Sequence, residues 1–261
     1  MLRLRRRRLS TKHDDHSPWP EGYDCIVLDT VDSTMAEAVR RARDVERPTW
    51  IMAKTQTAAR GRRGRKWVVP EGNLNATLIF RPEATAAEAA KRSFLAANAL
   101  YQALAIYVSA DKLSLKWPND VLLSDGKVAG ILLESSGQGP FVDWLSIGIG
   151  VNLRHTPEGV EDASFAPTSL IDAGGEDVSP KEFLSTLADA YATQEAKLLR
   201  LGFDRIREDW MHKAARLGEV ITARTGREDI TGIFDGIDRD GNLVLITGTG
   251  PRAIPAADVF F

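Results

Sequence analysis

The chain has 261 residues, 43% hydrophobic and 27% charged, and its 34 Lys and Arg against 36 Asp and Glu leave a net charge of −2. That is an ordinary globular composition, long enough for one large or two modest domains, and it lacks the global basic bias of a protein that binds nucleic acid with its whole surface. Cys25 is the only cysteine, which excludes an intramolecular disulfide and a thiolate zinc cluster and suits a reducing, cytoplasmic setting.

Residues 1–24 read as a tail. Met1 to Leu9 carries five arginines with no apolar core region after them, so a secretory signal is not supported. His13 and His16 lie in polar surroundings and read as solvated, not ligating. No apolar run approaches transmembrane length. Cys25 to Leu28 is a short strand. In the D-S-T-M-A-E-A run that follows, Asp32, Ser33 or Thr34 can cap a helix, with Glu37 at capping-box distance from Thr34, and Ala36 to Val45 continues as an amphipathic helix.

Trp50 to Ala53 is the next strand, and the stretch from Thr55 to Phe80 is the one that carries most meaning. Arg60 to Lys66 places five cations in seven residues. Gly61 and Gly64 permit positive φ and let backbone N–H groups approach an anion. Each arginine can fork onto a carboxylate or phosphate. Composition alone favours a solvated or nucleic-acid-binding loop; its glycines, Gln56 before it and Trp67 after it favour a loop that folds. The chain turns at Pro70-Glu71-Gly72 and alternates from Leu74 to Phe80 as a strand.

Thr85 to Ala110 reads as one long Ala-rich helix. Leu113 to Pro118 is a strand that runs into Asn119-Asp120, a turn-forming pair. Val121 to Leu123 and Lys127 to Glu134 flank a hairpin turn at Ser124-Asp125-Gly126. Phe141 to Leu153 is a strand interrupted by Gly148 and Gly150, which mark a bulge or close approach by a ligand or another backbone. A polar loop from Arg154 to Pro167 leads to helices at Pro180 to Leu201 and Asp204 to Ala214. From Leu217 the chain changes to short alternating segments, Val220 to Ala223, Ile230 to Phe234, Leu243 to Ile246 and Arg252 to Ile254, read as a small all-β barrel. The division expected is therefore 1–24, 25–215 and 216–261.

Four clusters suit one site. Ser33-Thr34 offers hydroxyls at a helix start, and Gln56 a donor and an acceptor. Asp120 puts a carboxylate at a strand end, and Lys127 lies seven residues further, across a hairpin. Facing an Arg/Gly loop, such a pair would suit a metal-bridged triphosphate and an anionic intermediate. Singly, Lys127 reads as a surface lysine, Asp120 as a turn residue, Ser33-Thr34 as a cap, and Trp67 and Trp117 as core.

Taken together the motifs carry more. D-S-T (32–34), Q-T-A-A-R-G-R-R-G-R-K-W (56–67), G-N-L (72–74), K-W-P-N-D (116–120), K-V-A-G-I-L (127–132), G-I-G-V-N-L (148–153) and T-S-L (168–170), in this order, resemble the biotin–protein ligases. The resemblance implies an α+β fold: a mixed sheet packed with helices, class II synthetase-like, with an SH3-like C-terminal domain. It implies an ATP-dependent, magnesium-requiring ligase that makes biotinyl-5'-AMP and transfers biotin to a lysine of a biotin carboxyl carrier protein domain, as a homodimer. Carried over by position, Ser33, Thr34 and Gln56 would bind the ring end of biotin. Arg60, Gly61 and Arg62 would close over it beside Trp67. Lys127 would meet the biotin carboxylate and α-phosphate, and Gly130 would let the ligand pass. Asp120 would hold Mg2+ or orient the reacting groups, and Lys116, Asn119 and Asn152 would lie on the nucleotide. Two positions depart from the family pattern: Ala59 replaces the first glycine of the loop, and Met35 stands where a polar residue is usual.

Two other readings stay in view. A lipoate–protein ligase shares the adenylate chemistry but not the complete R-G-R-R-G-R-K-W run. A biotin-responsive repressor needs a helix-turn-helix, for which the roughly 24 residues before the first strand are too few.

Overall fold

Alternate residues of the stretch Leu74–Phe80 go to opposite faces of a sheet, and what each face meets organises the molecule. Leu74, Ala76, Leu78 and Phe80 enter the main core, Ile79 packs with Ala38, Ala42 and Ile51 in a smaller one, and Asn75 and Thr77 are buried though polar. The computed structural model describes residues 19–261 apart from Lys66, Val69 and 159–164, with Arg63 by its backbone alone. The arginine-rich tail, the His13–His16 pair and Lys66 of the basic run therefore lie outside the described residues.

β1 (Asp24–Val31) and β2 (Thr49–Gln56) run parallel, joined through α1 (Thr34–Arg41). β3 (Leu74–Phe80) is antiparallel to β2, so the basic stretch connects two neighbouring strands. After α2 (Ala86–Ala90) and α3 (Arg92–Leu104) come β4 (Leu113–Lys116), β5 (Asp120–Leu123), β6 (Gly126–Ser136) and β7 (Trp144–Val151). The resulting mixed seven-stranded sheet has the order β1-β2-β3-β7-β6-β5-β4. α1 lies against β2, β3 and β7 on one face; α3 and the long α4 (Pro180–Leu201) pack together against the core on the other, with α5 (Phe203–Met211) against both. None of the helices among the described residues is long and apolar enough to cross a membrane.

The helix ends follow local chemistry. Thr85 and Glu88 form a complete capping box for α2, and Ser179 accepts from Glu182 N ahead of Pro180 in α4. The single helix expected over 85–110 is in fact two, parted at Lys91. From there Arg92, 5% exposed, points inward to pair with Glu195 of α4 at 2.6 Å, as a buried guanidinium must. α3 stops at Leu104, before Ile106, Tyr107 and Val108, whose branched and aromatic side chains favour helix less. The expected turn at Asn119-Asp120 sits one residue earlier: Trp117-Pro118-Asn119 makes it, with a cis bond before Pro118, and Asp120 already belongs to β5, paired with Lys116.

The C-terminal module is antiparallel: β8 (Val220–Arg224), β9 (Asp229–Ile237), β10 (Leu243–Thr247), β11 (Gly250–Ile254) and β12 (Asp258–Phe260), in the order β11-β10-β9-β8-β12. Its last strand, which the sequence did not announce, pairs with β8 through Asp258 and Arg224. The module is joined to the larger sheet by a hydrogen bond from Trp117 Nε1 to Gly241 O at 3.1 Å and by packing of Gly241 against Phe94.

Candidate active site

The cleft opens on the α1 face of the sheet, beyond the N-terminus of that helix. Ser33, extended at φ −155°, is its N-cap, but the Ser33 hydroxyl makes no capping bond. The first helical N–H is satisfied from another strand: Gln56 Oε1 accepts from Thr34 N at 2.7 Å and from Thr34 Oγ1 at 3.1 Å. Thr77 Oγ1 donates to Thr34 Oγ1 at 2.8 Å. One end of the cleft is thus a buried neutral cluster of hydroxyl and amide groups. Asp32 accepts from Ser33 N at 2.8 Å and is clasped by Arg40, whose guanidinium holds that carboxyl well below the usual range. The capping box expected between Thr34 and Glu37 does not form, because Glu37 pairs with Arg40 and Arg41.

The floor is made by glycines. A Cβ on Gly148 would lie 2.7 Å from Met35 Sδ, and one on Gly150 2.5 Å from Trp67 Nε1. The close approach read from these strand glycines is therefore by two side chains, Met35 and Trp67. Met35 fills the position where a polar residue was expected and is 4% exposed. Gly130, in register with Gly150 across the sheet, leaves 3.3 Å between its Cβ position and Lys127 Cε.

The other end is charged. Lys127 Nζ approaches Asp120 Oδ1 at 2.7 Å, an ion contact without the alignment of a hydrogen bond, and Lys116 Nζ stands 3.8 Å from Oδ2. Lys116 is 4% exposed. Burial pushes its ammonium below the usual lysine range, Lys127 and Arg62 push the same way, and Asp120 and Asp258 oppose them. Lys116 Nζ also lies 4.7 Å from the centre of the Phe165 ring, and Lys127 Nζ 5.4 Å from that of Trp67. Arg62 Nη1 donates to Asn119 Oδ1 at 3.3 Å, and Asn119 Nδ2 to Ile131 O at 2.6 Å. Asn152 Nδ2 donates to Thr168 O at 3.0 Å, bracing the loop that follows the cleft.

The basic loop takes one short turn, Arg62–Gly64, closed by Gly61 N to Arg65 O at 2.8 Å. Gly64 uses positive φ, +74°, as expected; Gly61 does not, at −106°, and a Cβ there would meet nothing nearer than 3.7 Å. Arg60 reaches Glu134 at 2.9 Å near the surface, and Arg65 crosses to Asp258 of β12 at 2.9 Å.

All thirteen residues singled out from the sequence line this one cleft, which holds about 1360 Å³ counted to its open mouth. Arg65 of the basic run lines it too, and so do Asn75, Phe165 and Asp258, which were not foreseen. Asn75 alone left a trace, as a strongly polar residue inside an apolar strand. Among the described residues no three His, Cys, Asp or Glu side chains converge on a metal position.

Residues 27–152 match the Biotin/lipoate A/B protein ligase family, and residues 217–261 the Biotin protein ligase C terminal domain, which is the SH3-like module. The chain is 50% identical to the biotin–[acetyl-CoA-carboxylase] ligase of Paracoccus denitrificans over 90% of its own length and 99% of that protein's. It is 32% identical to the bifunctional ligase/repressor BirA of Bacillus subtilis, covering 74% of that protein. The biotin protein ligase of Aquifex aeolicus, solved in complex with biotin and ATP, superposes with a TM-score of 0.75 at 29% identity, over 90% of this chain and 97% of that one. The order of the motifs, the mixed sheet with its C-terminal module and half-identity across nearly the whole length lead to one conclusion: the chain belongs to the biotin–protein ligases.

Proposed function

We propose that the cleft condenses biotin with ATP to biotinyl-5'-AMP and passes the acyl group to a lysine of a biotin carboxyl carrier domain. The observation that carries this reading is the polarity of the cleft. A neutral hydroxyl and amide cluster at Thr34 and Gln56 is separated by a glycine floor from the Lys116, Lys127 and Arg62 cations. Such a cleft suits a ligand with a neutral polar ring at one end and an anion at the other, which is the shape of biotin.

A carboxylate is a poor acyl donor. In the first step one of its oxygens attacks the α-phosphorus of ATP, an O–P bond forms, and the bond to the β-phosphate oxygen breaks to release pyrophosphate. Charge accumulates on non-bridging oxygens, where Lys127, Arg62 and Lys116 offset it. In the second step the ε-amine of the carrier lysine, which must be neutral, forms an amide bond to the acyl carbon, AMP leaves with the bonding pair, and the amine's proton passes to Asp120 or solvent.

Magnesium fits as part of the nucleotide. It would be held through one or two protein carboxylates plus substrate phosphates; Asp120 and Asp258 both line the cleft, and Asp120, beside Lys127, is the one that would hold it. Bound there, it would neutralise phosphate charge.

The test is exchange of labelled pyrophosphate into ATP, driven by biotin and magnesium, followed by transfer of labelled biotin to a carrier domain. Exchange driven by lipoate and not by biotin would overturn the reading.

A further inference from the structure

Asn75 is 2% exposed and lines the cleft, yet neither its Nδ2 nor its Oδ1 has a hydrogen-bond partner among the described residues. Buried amides are almost always paired, and leaving one unpaired is costly. Its neighbour on the same face of β3, Thr77, is satisfied through Thr34. The cost at Asn75 is therefore local, and the cleft is the direction in which a partner can come.

Its position says which part of a ligand it meets. Two strand steps separate Asn75 from Thr77, about 7 Å. In the other direction Asn75 is in register with Gly150 and Gly150 with Gly130, two strand spacings or about 10 Å from the floor beside Lys127. The amide thus stands closer to the neutral cluster than to the cations. It presents one donor and one acceptor side by side. A cyclic urea presents the complement, an N–H next to a C=O, and has a second N–H on its far edge. With a partner about 2.9 Å from each edge, such a ring bridges a gap of this size.

We propose that Asn75 recognises the cyclic urea of biotin, its Oδ1 accepting from one urea N–H and its Nδ2 donating to the urea oxygen, opposite the Thr34–Gln56 cluster. The proposal rests on the biotin ligase reading of the cleft and adds a specificity-determining residue to it.

The test is calorimetric titration of the full chain, wild type and Asn75→Leu, with biotin, with desthiobiotin (which keeps the urea and lacks the sulfur) and with ATP alone. Asn75→Leu is expected to weaken biotin and desthiobiotin alike by roughly 10- to 100-fold, with ATP affinity unchanged. Its melting temperature without ligand should equal or exceed that of the wild type, because two unpaired polar atoms are removed. Asn75→Ala, which needs no added volume, should give the same two readings. Unchanged biotin affinity overturns the proposal. So does a loss seen with biotin and absent with desthiobiotin, which would put the amide on the sulfur. A melting temperature lowered by several degrees in both variants would mark the amide as structural and also overturn it. A wild-type chain that fails to bind biotin overturns the function itself, a result distinct from all of these.

Discussion

The Lys127 ammonium and the Asp120 carboxylate stand 2.7 Å apart on the paired strands β5 and β6, and Lys116 approaches the other Asp120 oxygen at 3.8 Å. One carboxylate is shared by two ammonium groups, with the Arg62 guanidinium nearby on Asn119. This end of the cleft therefore carries excess positive charge in a largely buried place, which an entering carboxylate and phosphate relieve.

Lys127→Ala is accordingly expected to slow biotin-dependent pyrophosphate exchange by about a hundredfold or more, the scale of a lost transition-state charge contact. Lys127→Arg should recover little, since a planar fork is not a point charge. Exchange near the wild-type rate in the alanine variant would reduce Lys127 to a surface strand residue.

Gly150 and Trp67 make a second pair whose coupling can be measured. A Cβ at Gly150 would lie 2.5–2.7 Å from three atoms of the indole, and a ring that size cannot give way without leaving its place. Gly150→Ala should cut kcat/KM for exchange at least tenfold, roughly the 1.4 kcal/mol of a displaced contact, while circular dichroism stays that of the wild type. In a double-mutant cycle Trp67→Ala should cost much less when Gly150→Ala is already present. Simple additivity of the two losses would mean that the indole does not occupy this place in the working enzyme.

The features legible in the sequence are those carried by local pattern. Alternation gave β3, the Ser124-Asp125-Gly126 turn gave the hairpin from β5 to β6, and the arginine and glycine run announced its loop. Several of the misses depend on partners distant in the chain. Gln56 caps α1 from another strand, and Arg92 finds Glu195 across the helical layer. β12, only three residues long, exists through its pairing with β8, and Asp258 reaches the basic loop from the far end of the chain. Asn75 was visible as an oddity in an apolar strand, but its lack of a partner is a fact of three dimensions.

Cys25 offers a pH test independent of catalysis. Burial of its thiol pushes the pKa up to about 11 from 9.0, with Lys181 opposing. A folded-state value above the unfolded one means that the stabilisation is complete below pH 9 and is lost as pH rises to 11. Two pH units correspond to about 2.7 kcal/mol at most. Tyr23, pushed up to about 12, and Tyr191 act in the same direction, so the comparison is wild type against Cys25→Ala in urea melts at pH 8 and pH 11. The alanine variant should lose distinctly less stability over that interval. Equal losses would show that the thiol does not titrate as a buried group.

The last prediction concerns how the reactive adenylate is kept until the carrier arrives. The ties of the basic loop include Arg62 to Asn119 at 3.3 Å, Arg65 to Asp258 at 2.9 Å and, near the surface, Arg60 to Glu134 at 2.9 Å. The first tie lies over the cationic end of the cleft. The second joins a half-exposed arginine to a largely buried carboxylate, away from Lys127. Arg62 is placed to trade Asn119 for a phosphate oxygen, so that the ligand itself holds the loop closed and water out. Arg62→Gly removes that charge-assisted contact, on the order of 1.5–3 kcal/mol or about ten- to a hundredfold in retention of the intermediate. The variant should therefore release biotinyl-5'-AMP and label lysines of a bystander such as serum albumin. Asp258→Ala, which removes the partner of Arg65 and leaves Arg62 in place, should leak much less. The measurements are the off-rate of the adenylate and the biotin incorporated into the bystander. If Arg62→Gly retains the adenylate as the wild type does, or Asp258→Ala leaks as much as Arg62→Gly, the closing contact is not Arg62.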